Sequence, residues 1–173
     1  MGLENLLAQK RGEILKKWFS LVIETYPKDT AAYYKQKKDH FANPVGSTIR
    51  RGLEAILKEL FQRTDSDPET LRSLMDPIIR IRAVQDFKPS EAVSFIFLLK
   101  SVVRKIAHQA FKDENFEPEL QAFDSRIDTI GMMAFDIYMM CREQIYELKA
   151  NEVRNRTYRA FKRANLIVDN SPE

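Results

Sequence analysis

The sequence predicts an all-α protein, a compact helical bundle with a long C-terminal helix. Strong helix formers dominate its composition, chiefly Leu, Ala, Glu, Lys, Arg and Gln. The chain holds five glycines and seven prolines, too few for the many tight turns of a β-sandwich or barrel. Apolar residues also recur three and four residues apart through most of the chain, which is the spacing of one helix face. At 173 residues, the length favours a single domain over residues 1–173.

The first three helices are predicted from this spacing and from local start and stop signals. The first helix begins near Leu3 and ends before Pro27. A short second helix is predicted over residues 30–38. Asn43 and Pro44 mark the third start, because the Asn43 side chain can accept a bond from a free amide. A proline at the first helical position also gives up no helical hydrogen bond.

The fourth helix repeats the same start signal with Asp67 and Pro68, and its apolar pattern continues to Val84. Pro77 lies inside this pattern. A proline there removes a backbone hydrogen bond and clashes with the preceding turn. We therefore expect a kink near residues 73–76, or two short helices in place of one.

The fifth and sixth helices carry the most apolar character. The fifth begins at Pro89, is predicted to about Lys112, and is apolar over so broad a surface that it should be a central helix packed on several sides. The sixth is the longest, with apolar residues alternating by three and four from Leu120 to Leu148. Such a heptad stripe suits a helical pair or bundle. Its middle is the predicted dimer or transmitter face: Ile127, Ile130, Ala134, Ile137 and Cys141.

The region after Leu148 is basic. Residues 149–163 hold six Lys or Arg and one Glu. A solvated helix end that continues into an assembly contact is favoured over binding to nucleic acid or anionic lipid. The whole chain carries 28 basic and 25 acidic residues, a net charge of +3, which argues against a dedicated nucleic-acid binder. We expect a core over residues 10–150, with a basic helical extension and a disordered tail over residues 151–173.

Several features indicate a soluble, cytoplasmic protein. The single cysteine cannot form a disulfide within the chain, which fits a reducing compartment. The N-terminus lacks the basic and apolar regions of a signal peptide. The longest uncharged apolar run, residues 92–99, is far shorter than the ~20 residues of a membrane-spanning helix. No membrane insertion is expected.

No residues suggest catalysis, a cofactor or a metal, and we predict that the protein is not an enzyme. The sequence contains neither a phosphate-binding glycine loop nor a nucleophile elbow. Cys141 lies on the heptad stripe, so a buried inert thiol is favoured over a nucleophile. His40 and His108 fall among charged residues and make poor metal or haem ligands. Three carboxylates without histidines are better interpreted as helix-surface charge: Glu117, Asp124 and Asp128.

The segment 80–89, RIRAVQDFKP, is an unusually polar junction before the most apolar helix. Arg80 and Arg82 flank an apolar position and so point to different faces, and at least one could be drawn into the interior. A buried arginine requires a carboxylate or several carbonyls as partners. A polar clamp between helices is favoured, and an anion or ligand site is the alternative.

Two motifs carry a resemblance to a known family. Segment 41–46, FANPVG, and segment 80–89 occur in the order of its two signatures. Over residues 10–150 the chain resembles the N-terminal sensory domain of the RsbT co-antagonist proteins of the RsbRD type, from bacterial stress signalling. The resemblance makes these the candidate motif and joint residues: Asn43, Pro44, Gly46, Arg80, Arg82, Gln85, Asp86 and Pro89.

The resemblance implies a globin-like module without haem, usually dimeric. In full-length relatives a C-terminal helix leads into a STAS domain, whereas this chain ends at Glu173, so a STAS-type or other signalling protein would be a separate partner. The predicted function is a non-enzymatic sensory or regulatory domain that acts through protein–protein contacts and helix repacking, as a homodimer. The alternative is a globin-like domain that binds a small ligand or a haem-like cofactor.

Overall fold

The computed structural model describes residues 2–36, 41–61, 67–110 and 116–166. Helices account for nearly all of these residues, and no strand occurs among them. The prediction of an all-α protein with a long C-terminal helix is therefore confirmed. The helices are α1 (Leu3–Ile23), α2 (Lys28–Gln36), α3 (Pro44–Leu60), α4 (Pro68–Val84), α5 (Pro89–Ala110) and α6 (Glu117–Arg163).

The helix starts predicted from sequence are confirmed at α3 and α4. The Asn43 Oδ1 atom accepts a hydrogen bond from the Gly46 amide at 2.9 Å, and the Asp67 Oδ2 atom accepts one from the Thr70 amide at 2.9 Å. Each of the two helices has proline in its first turn. These side chains satisfy amides that have no partner within the helix.

Helix α4 runs without interruption through Pro77, so the alternative of two short helices is wrong. Pro77 is exposed, and so is Ser73, the residue whose carbonyl loses its helical partner, so water can satisfy that carbonyl. Other boundaries differ by small amounts, with α2 at Lys28–Gln36 and α5 ending at Ala110. His40, Lys112 and the expected disordered tail lie outside the described residues.

Helix α5 is the central helix of the bundle, as its broad apolar surface predicted. It packs against α1 on one side and α6 on another, and it also contacts α4. Phe95, Leu99 and Val103 are completely buried along it. Trp18 of α1 is also completely buried, and its indole Nε1 donates to the Phe95 carbonyl at 2.6 Å. This bond satisfies the only polar atom of the indole inside the core.

Helix α6 attaches to the body through its first half. Its buried face packs on α4 and α5, and ion pairs reinforce the contact with α5. Arg104 donates to Asp124 at 2.8 Å and to Glu117 at 2.9 Å, while Lys100 donates to Asp128 at 2.6 Å. The three carboxylates singled out in the sequence thus face cations across the α5–α6 contact.

The second half of α6 has no body to pack against. Every described residue from position 146 to position 166 is exposed. We call residues 147–163 the α6 extension. Within the described residues, no helix has the length and apolar character needed to cross a lipid bilayer.

Candidate functional site

The connection between α4 and α5, residues 85–88, is a tight reversal that we call the α4–α5 joint. The Phe87 amide donates to the Arg82 carbonyl at 3.2 Å, and the Asp86 amide donates to the Ala83 carbonyl at 3.4 Å. These two bonds form a Schellman motif, which satisfies carbonyls at the end of a helix. The motif needs a left-handed residue, and Asp86 fills that position with φ of 57°. Aspartate tolerates this conformation better than most side chains.

The far end of the joint starts α5 without the usual capping side chain. Lys88 precedes Pro89, where Ser or Asp would be typical. Glu91 compensates, because its Oε2 atom accepts a hydrogen bond from the Lys88 amide at 3.3 Å. This is the reciprocal half of a capping box, in which the third helical residue reaches back to the cap.

Helix α6 holds the joint through two residues, Tyr138 and Arg142, which we call the latch. The Tyr138 hydroxyl donates to the Phe87 carbonyl. The Arg142 Nη1 atom donates to the Ala83 carbonyl at 2.9 Å and to Asp86 Oδ1 at 2.8 Å. The last turn of α4 and the joint are thus both attached to one turn of α6.

The latch also sets the electrostatics of the joint. The Arg142 guanidinium holds the pKa of the Asp86 carboxyl below its usual range, chiefly through their hydrogen bond. Burial raises the pKa of the Tyr138 hydroxyl, which therefore stays protonated as a donor at neutral pH. Sequence reasoning missed both latch residues. Their spacing of four, one helical turn, beside the heptad stripe was the available signal.

Arg80 and Arg82 point to different faces, as their spacing predicted. Arg80 is exposed, and its Nε atom donates to Asp76 at 2.6 Å within α4. Its Nη1 atom also reaches Gln144 of α6 at 3.4 Å. An exposed pair of this kind contributes little to stability.

Arg82 is completely buried. Its Nη2 atom donates to Thr25 Oγ1 at 2.9 Å and to the Glu91 carbonyl at 3.1 Å. Its guanidinium carbon lies 4.3 Å from the centre of the Phe87 ring. Arg82 thereby bridges the end of α1, its own helix α4 and the start of α5. Of the expected partners, a carboxylate or several carbonyls, the described residues supply one carbonyl, and the described ion pairs do not include Arg82.

The first motif ties α2 to α3. Asn43 is completely buried, and its Nδ2 atom donates to the Tyr34 carbonyl at 3.0 Å while its Oδ1 atom caps α3. Gly46 leaves the space that the Asn43 side chain occupies, because a Cβ atom at Gly46 would collide with it. Pro44 opens α3 and is exposed.

An aromatic chain connects the two motifs. The Tyr34 ring meets the Tyr26 ring edge-on at 5.3 Å between centres, and the Tyr26 ring meets the Phe87 ring at 5.1 Å. Asn43 holds the backbone of Tyr34, and Phe87 belongs to the α4–α5 joint. Segments 41–46 and 80–89 therefore contribute to one corner of the bundle, while Gln85 and Pro89 lie exposed at its surface.

A known protein family matches most of the helices described above. The family model described as the RsbT co-antagonist protein rsbRD N-terminal domain matches residues 12–153. The chain belongs to this family. Neither a curated protein nor a solved structure gives a significant match. Membership in the RsbRD N-terminal family makes the chain a regulatory signalling domain of the stress-response type.

The match places both motifs, the latch and the first part of the α6 extension inside the RsbRD N-terminal region. Three contacts join the latch to the end of α4 and the joint. The Phe87 and Ala83 carbonyls each accept a hydrogen bond, and Asp86 forms an ion pair with Arg142. The described residues contain no group of three or more His, Cys, Asp or Glu side chains suited to a metal. What this arrangement can do is couple the position of α6 to the conformation of the joint.

The predicted dimer face on α6 needs a correction. All five of its residues are buried within a single chain, where they pack in the core. A second copy cannot reach them while the core is packed in this way, so a dimer needs another surface, and the transmitter role of this face stays a prediction. A heptad stripe pairs with any suitable helix, and here the partners α4 and α5 belong to the same chain. The five are Ile127, Ile130, Ala134, Ile137 and Cys141.

One surface groove lies away from the joint, between the start of α1, the end of α3 and the start of α6. Its volume is about 350 Å³. Leu3, Leu7 and Phe123 give it an apolar floor, and Glu119 and Arg126 lie at its edge. His108 is exposed on α5 and does not line this groove. The described residues that line the groove therefore offer no imidazole to a haem iron.

Proposed function

We propose that this RsbRD-type domain is a non-enzymatic sensory domain that acts as a homodimer and passes a signal along α6. The observation that carries the proposal is the latch. One helix grips the α4–α5 joint through Tyr138 and Arg142 and then continues past the body as the α6 extension. A change in the joint would therefore shift or release α6, and two packings of one helix are a common form of protein switch.

The proposed dimer forms through the outward face of α6, which we call the outer seam. Its residues are spaced by three, four, seven and seven positions, as in a coiled coil. Their exposed fractions range from 39% to 66%, so this apolar stripe has no cover in a single chain. The outer seam consists of Met132, Phe135, Met139, Tyr146 and Val153.

A second copy is the occupant that best explains the outer seam. The seam begins on the body and continues along the α6 extension, with a drift of about 20° per heptad that the supercoil of a helical pair removes. An isolated helix segment is marginally stable in water, so the extension needs a partner to remain helical. A two-fold pair of α6 helices would supply that partner to both copies at once.

The basic character of residues 149–163 supports a separate protein partner. A STAS-type or other signalling protein is proposed to meet the dimer at this part of α6. Six cations and one carboxylate on exposed helix surface would favour an acidic partner surface.

The dimer is tested by a double substitution, Phe135→Glu with Met139→Glu. Charges on the seam should convert a dimer into a monomer of 20.2 kDa, because each would be buried against apolar side chains. Sedimentation equilibrium measures the mass directly. The matched control is Met140→Glu, since Met140 is also exposed but points about 100° away from Met139. A monomeric wild-type chain, or a control that dissociates equally, would reject the seam.

A further inference from the structure

The Arg82 guanidinium is buried with most of its donors unused. Its Nη2 atom makes both of its hydrogen bonds, to Thr25 and to the Glu91 carbonyl. Its Nε and Nη1 atoms are buried and have no hydrogen-bond partner within the described part of the chain. The Tyr26 hydroxyl, which belongs to a ring 5.3 Å from the guanidinium carbon, is likewise buried without a hydrogen-bond partner among the described residues, and it interacts electrostatically with Arg82 itself. Two side chains from different segments therefore leave polar atoms unsatisfied in one place.

Among the described residues, no carboxylate forms an ion pair with Arg82. Arginine stays protonated in proteins, so Arg82 brings a full positive charge into the interior. A buried charge without a counter-charge is strongly destabilising, and each unsatisfied donor adds to that cost. The carboxylate of Glu91, whose own carbonyl accepts from Arg82, is turned to the Lys88 amide instead, and Asp86 pairs with Arg142. Thr25 and Tyr26, the other polar side chains at the guanidinium, are neutral.

The surroundings favour a particular kind of anion. The guanidinium carbon lies near three aromatic rings, at 4.3 Å from Phe87, 5.3 Å from Tyr26 and 5.6 Å from Phe95. Stripping water from a divalent oxyanion in such an apolar setting costs more than stripping it from a monovalent one. A carboxylate with a short apolar tail can accept from Arg82 and Tyr26 and place its tail against the rings.

We propose that Arg82 and Tyr26 form a binding site for a small monocarboxylate. The inference rests on the proposed sensory function, because it names the chemical class of the signal. Phe87 covers the site and belongs to the α4–α5 joint, so a carboxylate enters only when the Phe87 ring moves outward. Its carbonyl is the group that Tyr138 holds. Occupation of the site therefore loosens the latch on α6.

Thermal unfolding of the full chain tests the site, with propionate and acetate as the probes. Chloride and phosphate, at equal ionic strength, are the comparison anions. The melting temperature Tm of the wild type should rise by about 4 °C per tenfold increase in propionate above its Kd. Arg82→Met should abolish that rise, since methionine fills the space without the charge. The matched control Arg80→Met, two residues away and exposed, should keep it.

Nuclear magnetic resonance on the wild type gives a second readout that needs no variant. The Nε–H signal of Arg82 should shift saturably with propionate, because that buried group gains an acceptor. No shift with either carboxylate would overturn the site, as would a Tm response to phosphate alone. The oligomeric state is measured separately, with and without propionate. A chain that dimerises through the outer seam yet ignores carboxylates would reject this site and leave the proposed function standing.

Discussion

Single residues decide how firmly the α4–α5 joint is held, and Asp86 is the most constrained of them. Its backbone adopts a left-handed conformation, and its carboxylate pairs with Arg142 from another helix. The carboxylate is largely exposed, so the ion pair serves to position the joint more than to stabilise the fold. A titration of this one group therefore reports whether the latch is closed.

The first prediction concerns the pH dependence of the latch. In the wild type, Asp86 should titrate below its ordinary pKa of 3.8, and Arg142→Met should move that pKa back up. Because the folded-state pKa is depressed, the pair stabilises the protein above about pH 4 and its contribution is lost as the pH falls through the lowered pKa. Carboxyl chemical shifts measured from pH 2 to pH 6 check this.

Asp67 is the internal control for that titration. Its pKa is also lowered, but the cause is the cap with Thr70 at the start of α4. Arg142→Met should leave the Asp67 pKa unchanged. If the two carboxyls respond alike, the variant has disturbed the fold rather than the latch, and a local ion pair is not the cause of the Asp86 shift.

Arg80 and Arg82 show what the sequence could predict about single residues. Their spacing required different faces, and the structure has one exposed and the other completely buried. The sequence could not tell which one lies inside. That depends on Thr25 and on the Glu91 carbonyl, which come from other segments and satisfy only part of the guanidinium.

At the scale of elements, the α2–α3 connection depends on the absence of a side chain at Gly46. The buried Asn43 side chain holds the Tyr34 carbonyl and the Gly46 amide together. The space above Gly46 is already filled by that side chain. The helix start was readable because cap and proline are adjacent in sequence, whereas the contact to Tyr34 spans nine residues.

The second prediction compares two glycine substitutions. Gly46→Ala should lower the free energy of unfolding by about 1–3 kcal/mol, because the new methyl group displaces the buried cap. Gly12→Ala, in the exposed middle of α1 with no neighbouring atom within 4 Å, should raise it by about 0.5–1 kcal/mol. Urea denaturation measures both. Equal effects of the two changes would contradict the close approach at Gly46.

Helix α6 shows what heptad spacing can and cannot predict. Its heptad spacing indicated a long helix with a buried face, and both are present. The spacing did not say whether the partner helix belongs to the same chain. Helices α4 and α5 bury the predicted stripe, and the outer seam is the face left exposed. The spacing of the outer seam is less regular because Arg142 interrupts it.

At the scale of the whole molecule, the body and the α6 extension differ in what stabilises them. The body shares one core that includes Trp18, Phe95 and Ile137. The extension does not share that core, and each of its side chains is exposed. Local stability should therefore fall sharply along one continuous helix.

The third prediction follows from that difference. Amides in residues 148–163 should exchange hydrogen rapidly in dilute protein. Their exchange rate should fall at least tenfold when the protein concentration is raised above the dimer dissociation constant. Amides of α5 near Leu99 and Val103 should not change, which makes them the reference. Mass spectrometry of peptides from one sample measures both. Slow exchange of the extension at every concentration would show that it is stable without a second copy.

Local patterns in the sequence were sufficient to predict the all-α class, the starts of α3 and α4, the central helix and the long sixth helix. These follow from interactions within a turn or two, where neighbouring residues suffice to specify the structure. The three-dimensional contacts were needed to show that the heptad stripe is internal, that no described carboxylate pairs with the buried Arg82, and that Tyr138 and Arg142 hold the joint. Those contacts join residues 51 to 59 positions apart, and no local pattern encodes which distant groups meet.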